Sequence, residues 1–119
     1  MPSSATITLL GHLARDVELR KAGEYNIVGN AIPVTDKTKG GGETTTWYDV
    51  TFWGRDAEAV ANFCAKGALL LINGSLSTRS YKAKDGTDKV TPTVKVSSFK
   101  IIDGKKDREQ ADENLADRF

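Results

Sequence analysis

The sequence predicts an all-β domain carrying a single helix. Three observations lead there. Most of the chain falls into runs rich in β-branched and aromatic residues, with apolar and polar side chains alternating. One stretch alone, near residues 57–64, repeats small apolar residues at helical spacing. Glycines and an Asp-Gly pair punctuate the runs where turns are needed.

In order, Ala5–Leu13 reads as a first strand, with Ile7, Leu9 and Leu13 toward the core and Gly11 marking a bulge or bend. Arg15-Asp16 is a turn, Val17–Arg20 a short extension and Ala22-Gly23-Glu24 a second turn. Tyr25–Val34 is the next strand; Pro33 lacks an amide hydrogen, so that end is expected at an edge or bulge. Residues 35–44, with Gly40-Gly41-Gly42 between charged residues, describe a long mobile loop.

Thr45–Gly54 is the strand around which the chain is organised. One face presents Tyr48, Val50 and Phe52, suited to a core; the other presents Trp47, Asp49, Thr51 and Trp53. A face that is half indole and half polar suits a surface covered by something flat, whether a ligand, a loop or a second subunit. A helix follows, with Asp56 as N-cap, a buried stripe of Ala57, Val60, Ala61 and Cys64, and Gly67 closing it after Lys66. Ala68–Leu76 begins a strand running on through Tyr81. Lys84–Thr87 is a hairpin turn, and Lys89–Ile102 returns, with Val90, Val94, Val96, Phe99 and Ile101 or Ile102 available for burial. The expected domain spans residues 1–104, and residues 105–119 form a short flexible acidic tail.

Several strands with one helix between the third and fourth long strands outline an OB-fold, a five-stranded Greek-key barrel. At 119 residues the chain suffices for one such core without disulfide staples. Net charge is +1, but residues 1–106 carry 15 Lys/Arg against 11 Asp/Glu, and residues 107–119 carry 2 against 5. A basic body thus precedes an acidic end. The lone Cys64 excludes an internal disulfide framework and suits a reducing compartment. No run approaches a membrane span and Met1–Ser4 has no leader pattern, so a cytoplasmic protein without a membrane partner is expected. No phosphate-binding loop, catalytic carboxylate pair, nucleophile triad or metal-ligand cluster is visible, and His12 stands alone. Neither an enzyme nor a cofactor or metal is expected.

Three strings resemble the bacterial-type single-stranded DNA-binding protein family. Leu10-Gly11-His12-Leu13-Ala14-Arg15-Asp16-Val17-Glu18-Leu19-Arg20 resembles its opening Gly-x-Leu-x-x-Asp-Pro-Glu-x-Arg run. Thr46-Trp47-Tyr48-Asp49-Val50-Thr51-Phe52-Trp53-Gly54-Arg55 resembles its Trp-bearing strand. Lys66-Gly67, leading to Asn73-Gly74-Ser75-Leu76-Ser77-Thr78-Arg79-Ser80-Tyr81 and then Asp85-Gly86, resembles its later hairpin. The matches run in order across about residues 5–102.

The resemblance implies an OB-fold that binds single-stranded DNA with little sequence preference, as a homotetramer or a dimer, in DNA replication, recombination or repair at the nucleoid. It makes Trp47, Trp53 and Tyr81 stacking residues, and Arg15, Arg20, Arg55, Lys66 and Arg79 phosphate contacts. Tyr48 falls where the family makes subunit contacts. The chain departs from the pattern in the loop before its aromatic strand, where many members carry a further stacking aromatic. Here there is none between Tyr25 and Trp47, and Lys37 and Lys39 partly replace it. Val17 replaces the usual Pro, and His12 and Ala14 are unusual. The end keeps an acidic character in Asp112, Glu113 and Asp117 and the final Phe119, although Arg118 precedes it; those residues would dock replication or repair proteins.

The physical demand agrees. Exposed aromatics stack on any base, and Lys and Arg neutralise phosphates. Asp49 between two tryptophans repels phosphate unless it pairs with an arginine or accepts from base donors. The alternative is an OB-fold protein-interaction module of a replication-restart or recombination complex with weak nucleic-acid binding; RNA binding is a third reading.

Overall fold

The computed structural model describes residues 3–105. The elements are β1 (Thr6–His12), β2 (Arg20–Ala22), β3 (Tyr25–Lys37), β4 (Glu43–Trp53), α1 (Arg55–Phe63), β5 (Cys64–Lys82) and β6 (Asp88–Lys105). The five long strands and the helix between the third and fourth of them follow the expected outline; three-residue β2 is an added short strand. The order across the sheet is β1-β5-β6-β4-β3-β2. Every pairing is antiparallel except β4 with β6, where Asp49–Thr51 lie beside Thr93–Lys95. The ladder stays open between β1 and β2. Beyond β1 the chain reaches across to β3 through the Ala14 amide, which donates to the Ala31 carbonyl at 2.9 Å. This is the partly open barrel of an OB-fold.

Alternation decides what fills it. Leu9 and Leu13, then Val28 and Ile32, Val50 and Phe52, Leu70 and Ile72, and Val94 and Val96 all point inward and are buried. Phe99 and Ile101 pack against that core from the opposite sequence parity. The register shows why: between Asn73 and Gly74 of β5 the partner jumps from Ser98 to Val96, so Ser97 is an extra residue on β6. That bulge resets which side chains face inward, and Ser97 Oγ donates to the Asn73 carbonyl at 3.1 Å. Val90 and Ile102, two of the burial candidates, are exposed. Val90 lies on the part of β6 that pairs with β5 alone, beyond the stretch paired with β4, where no second layer covers it.

Local chemistry corrects several other expectations. Gly11 is not a bulge, because β1 pairs with β5 without interruption through Gly11 and Leu70. It is a close approach instead: a Cβ there would meet Ile32 Cγ2 at 2.5 Å. The N-cap of α1 is Gly54 at φ 63°, not Asp56, and the helix stops at Phe63 because Cys64 is already extended. Ala57 and Val60 are its buried residues, and Cys64 enters the core from β5. Gly67 has the expected positive φ of 88° but inside β5, where the register with β6 shifts between Cys64 and Leu69.

The loop over residues 35–44 shrinks. β3 and β4 stay paired out to Lys37 and Glu43, leaving five residues. Thr38 N–H donates to the Gly42 carbonyl at 2.8 Å, and Gly41 N–H to the Thr38 carbonyl at 3.1 Å. The β5–β6 hairpin closes in the same way, from Ala83 N–H to the Thr87 carbonyl and from Gly86 N–H to the Ala83 carbonyl, both 2.9 Å. Gly41 and Gly86 take the positive φ that this turn requires, 83° and 87°. Pro33 sits opposite Trp47 at a level that β2 does not reach, so its missing amide faces no ladder partner there.

Candidate nucleic-acid interface

The outward side of β4 carries Trp47, Asp49, Thr51 and Trp53, as alternation requires. Its neighbours on β3 are Pro33, Ala31, Gly29 and Ile27, one opposite each and none of them charged. On the other flank, β6 places Thr93 beside Asp49 and Lys95 beside Thr51, and β5 continues the surface with Ser75, Ser77, Arg79 and Tyr81. The aromatic groups stand out of this face: Trp47 is 53% exposed, Trp53 39% and Tyr81 45%. Among the described residues, no loop covers the two tryptophans. At about 3.3 Å per residue they lie roughly 20 Å apart along β4, a spacing that holds bases several nucleotides apart.

Several polar groups on this face are paired with each other. Arg79 Nη2 donates to Asp49 Oδ2 at 3.2 Å, which answers the problem of a carboxylate between two tryptophans. Thr35 and Thr45 hydroxyls bond at 2.9 Å, and Ser77 and Thr93 hydroxyls at 2.8 Å. Lys95 Nζ lies 5.9 Å from the Trp53 ring centroid, a cation–π placement.

A second feature lies past the end of β1. Arg15, Asp16, Glu18, Arg20, Ile27 and Gly29 line an open pocket of about 460 Å3. Its shape depends on Asn30, which points into the core and is 1% exposed. The Asn30 carboxamide donates to the Arg15 carbonyl at 3.0 Å and accepts from the amides of Arg15 at 3.1 Å and Ala31 at 2.8 Å. Arg20 Nη2 pairs with Glu18 Oε2 at 3.0 Å; that hydrogen bond, then its charge, holds the Glu18 carboxyl below its ordinary range and raises the guanidinium. Two arginines and two acids thus share the pocket, which is close to neutral.

The remaining sequence candidates are spread more widely. Lys37 ends β3 and Lys39 sits in the hairpin beyond it, both exposed at one end of the tryptophan face. Arg55 opens α1 and Lys66 lies just after that helix, both exposed, in the segments that flank α1 rather than on the β4 face. Tyr48 is half-buried against the core on the other side of β4 from the tryptophans. Asp112, Glu113, Asp117 and Phe119 lie outside the described residues. Sequence reasoning missed Tyr25, Lys95 and Asn30. The alternation signal was there for Tyr25, in phase with Ile27 and Gly29, and for Lys95, between Val94 and Val96. The strand neighbours were not readable.

An exposed aromatic face on a partly open barrel of five long strands and one short one, with cations around it, defines an OB-fold binding module. Residues 5–102 match the model of the Single-strand binding protein family, and the chain belongs to that family. It is 31% identical over 111 residues to single-stranded DNA-binding protein 1 of Synechocystis sp., covering 92% of each chain. It is 34% identical over 100 residues to a single-stranded DNA-binding protein of Clostridium tetani, covering 82% of this chain and 69% of the relative. Among solved structures, the small single-stranded DNA-binding protein from Streptomyces coelicolor superposes with a TM-score of 0.70 at 16% identity, over 84% of this chain and 95% of that one. The mitochondrial single-stranded DNA binding protein from S. cerevisiae gives 0.65 at 13%, over 87% and 99%. These two likenesses establish the shared fold.

Proposed function

We propose that this protein binds single-stranded DNA with little sequence preference and protects it during replication, recombination or repair. The observation that carries the reading is the exposed aromatic face of Trp47, Trp53 and Tyr81 on a family OB-fold. Bases stack on these rings whatever their identity, because every base has a π-face. Arg79, Arg55, Lys66, Arg15, Arg20, Lys37 and Lys39 neutralise phosphates, and the counterions they release make affinity fall with salt. The protein is a binder and not an enzyme: the face needs no reacting group.

It acts as an oligomer, a homotetramer or a dimer, with Tyr48 at a subunit contact, in the cytoplasm at the nucleoid. The acidic end, with Asp112, Glu113, Asp117 and Phe119, docks replication or repair proteins; its charge is opposite to that of the body.

Titration of tryptophan fluorescence with unstructured oligo-dT at low and high salt tests the reading, since Trp47 and Trp53 are the two indoles of the chain. Strong quenching that weakens with salt, with duplex DNA doing little, is expected. A folded protein whose fluorescence ignores oligo-dT at low salt would transfer the aromatic face to a protein partner.

A further inference from the structure

Tyr25 is the first residue of β3, and its side chain lies on the same face as Trp53. Ile27 is the direct partner of Trp53, so Tyr25 is the diagonal neighbour, two residues farther along β3. Diagonal pairs on a sheet face are within reach of aromatic side chains. Lys95 holds the opposite flank: it pairs with Thr51, two residues before Trp53 on the parallel β6. Tyr25, Trp53 and Lys95 together line a shallow pocket of about 330 Å3. Tyr25 is 63% exposed, more than either tryptophan.

The charge of this pocket differs from that of its neighbour. The Arg15 pocket is lined by Asp16 and Glu18 as well as by arginines. The Tyr25 pocket has one charged lining residue, Lys95, whose ammonium stands over the indole instead of against a carboxylate. Two aromatic rings and one cation that carries no carboxylate partner among the described residues complement a flat ring joined to an anion. The pocket also continues the row that begins at Trp47, at the end of β4 where the sequence shows no other candidate platform.

The geometry points to a single-nucleotide subsite at Tyr25, Trp53 and Lys95, which rests on the single-stranded DNA reading above. One base stacks in the cleft between Tyr25 and Trp53, and the Lys95 ammonium swings off the indole to that nucleotide's phosphate. Tyr25 thereby supplies the stacking platform that the β3–β4 hairpin lacks, at the opposite end of the same face.

Four variants and one titration test this: Tyr25→Ala, Tyr25→Phe, Lys95→Ala and Lys95→Arg, each bound to oligo-dT across a salt series, with circular dichroism confirming the fold. Both positions are exposed, so the substitutions leave the core alone. Tyr25→Ala is expected to weaken binding about 5- to 150-fold, the range for losing one stacked base, and Tyr25→Phe to stay within about twofold. Lys95→Ala is expected to flatten the slope of log affinity against log salt by about 0.7, one phosphate of a single strand, and Lys95→Arg to restore it. If the wild-type protein binds oligo-dT and Tyr25→Ala binds within about twofold of it, the subsite is wrong while the DNA reading stands. If the wild-type protein does not bind at all, the DNA reading falls and takes the subsite with it.

Discussion

The side chain of buried Asn30 treats the backbone of Arg15 as a strand partner, donating to its carbonyl at 3.0 Å and accepting from its amide at 3.1 Å. A peptide group in a sheet offers the same donor and acceptor pair. Here a carboxamide replaces the missing strand where the chain leaves β1, so the core itself sets where Arg15 projects into the pocket beside Gly29.

Asn30→Ala should therefore affect both stability and binding. It leaves the Arg15 amide and carbonyl without these partners at a part-buried site, at a cost of about 1 kcal/mol per hydrogen bond lost. Urea unfolding is expected to show that loss. Oligo-dT affinity should fall as well, because Arg15 loses its fixed origin. A loss of stability with unchanged affinity would remove Arg15 from the interface.

Trp47→Ala, Trp53→Ala and Tyr81→Ala should each weaken single-strand binding by about 1–3 kcal/mol and leave the thermal midpoint nearly unchanged. All three rings stand out of the sheet, so little core packing is lost. Isothermal titration with oligo-dT, beside a thermal melt, separates the two effects.

The Arg79–Asp49 pair makes a prediction of opposite sign. It is an exposed ion pair, with side chains 66% and 34% accessible, and such pairs contribute little to stability. Its effect is on charge: Asp49 occupies the guanidinium and repels phosphate. Asp49→Asn should raise oligo-dT affinity several-fold and steepen the salt dependence by about 0.7 in slope as Arg79 takes up a phosphate. Arg79→Ala should weaken binding. Equal affinity in the Asp49→Asn protein would mean that Arg79 serves only to neutralise Asp49.

Acid should loosen the β5–β6 hairpin. Asp85 Oδ1 accepts from the Thr87 hydroxyl at 2.6 Å and the Thr87 amide at 3.1 Å, and these bonds hold its pKa below the ordinary carboxylate value, the hydroxyl bond being the larger cause. A depressed folded pKa contributes stability above the unfolded value, about 3.9, and loses it as pH falls through the folded one. The difference in thermal midpoint between the wild-type protein and Asp85→Ala should thus be present at neutral pH and shrink below about pH 4. A difference that stays constant down to about pH 2 would assign the effect to something other than the ionised carboxylate.

Much of the interface was legible in one dimension. Strict alternation over Thr45–Trp53 separated Tyr48, Val50 and Phe52 from Trp47, Asp49, Thr51 and Trp53, and the structure keeps that division. Asp85-Gly86 located a hairpin because its chemistry is local. The longer loop over residues 35–44 was misjudged because polar, glycine-rich residues in a paired ribbon look the same as residues in a loop. What distinguishes them is cross-strand bonding, as between Thr35 and Thr45.

The sequence by itself determined the five long strands, the position of the single helix, the aromatic face of β4 and the family, since each rests on periodicity or on a contiguous string. Tertiary structure decided which distant residues share that face. Lys95 reaches Trp53 because β6 lies beside β4 with Lys95 opposite Thr51, and Asp49 is paired with an arginine thirty residues away. Phe99 joins the core only because Ser97 bulges. Strand order and register arise from long-range packing, and a pattern with a period of two carries no record of which strand lies next to which.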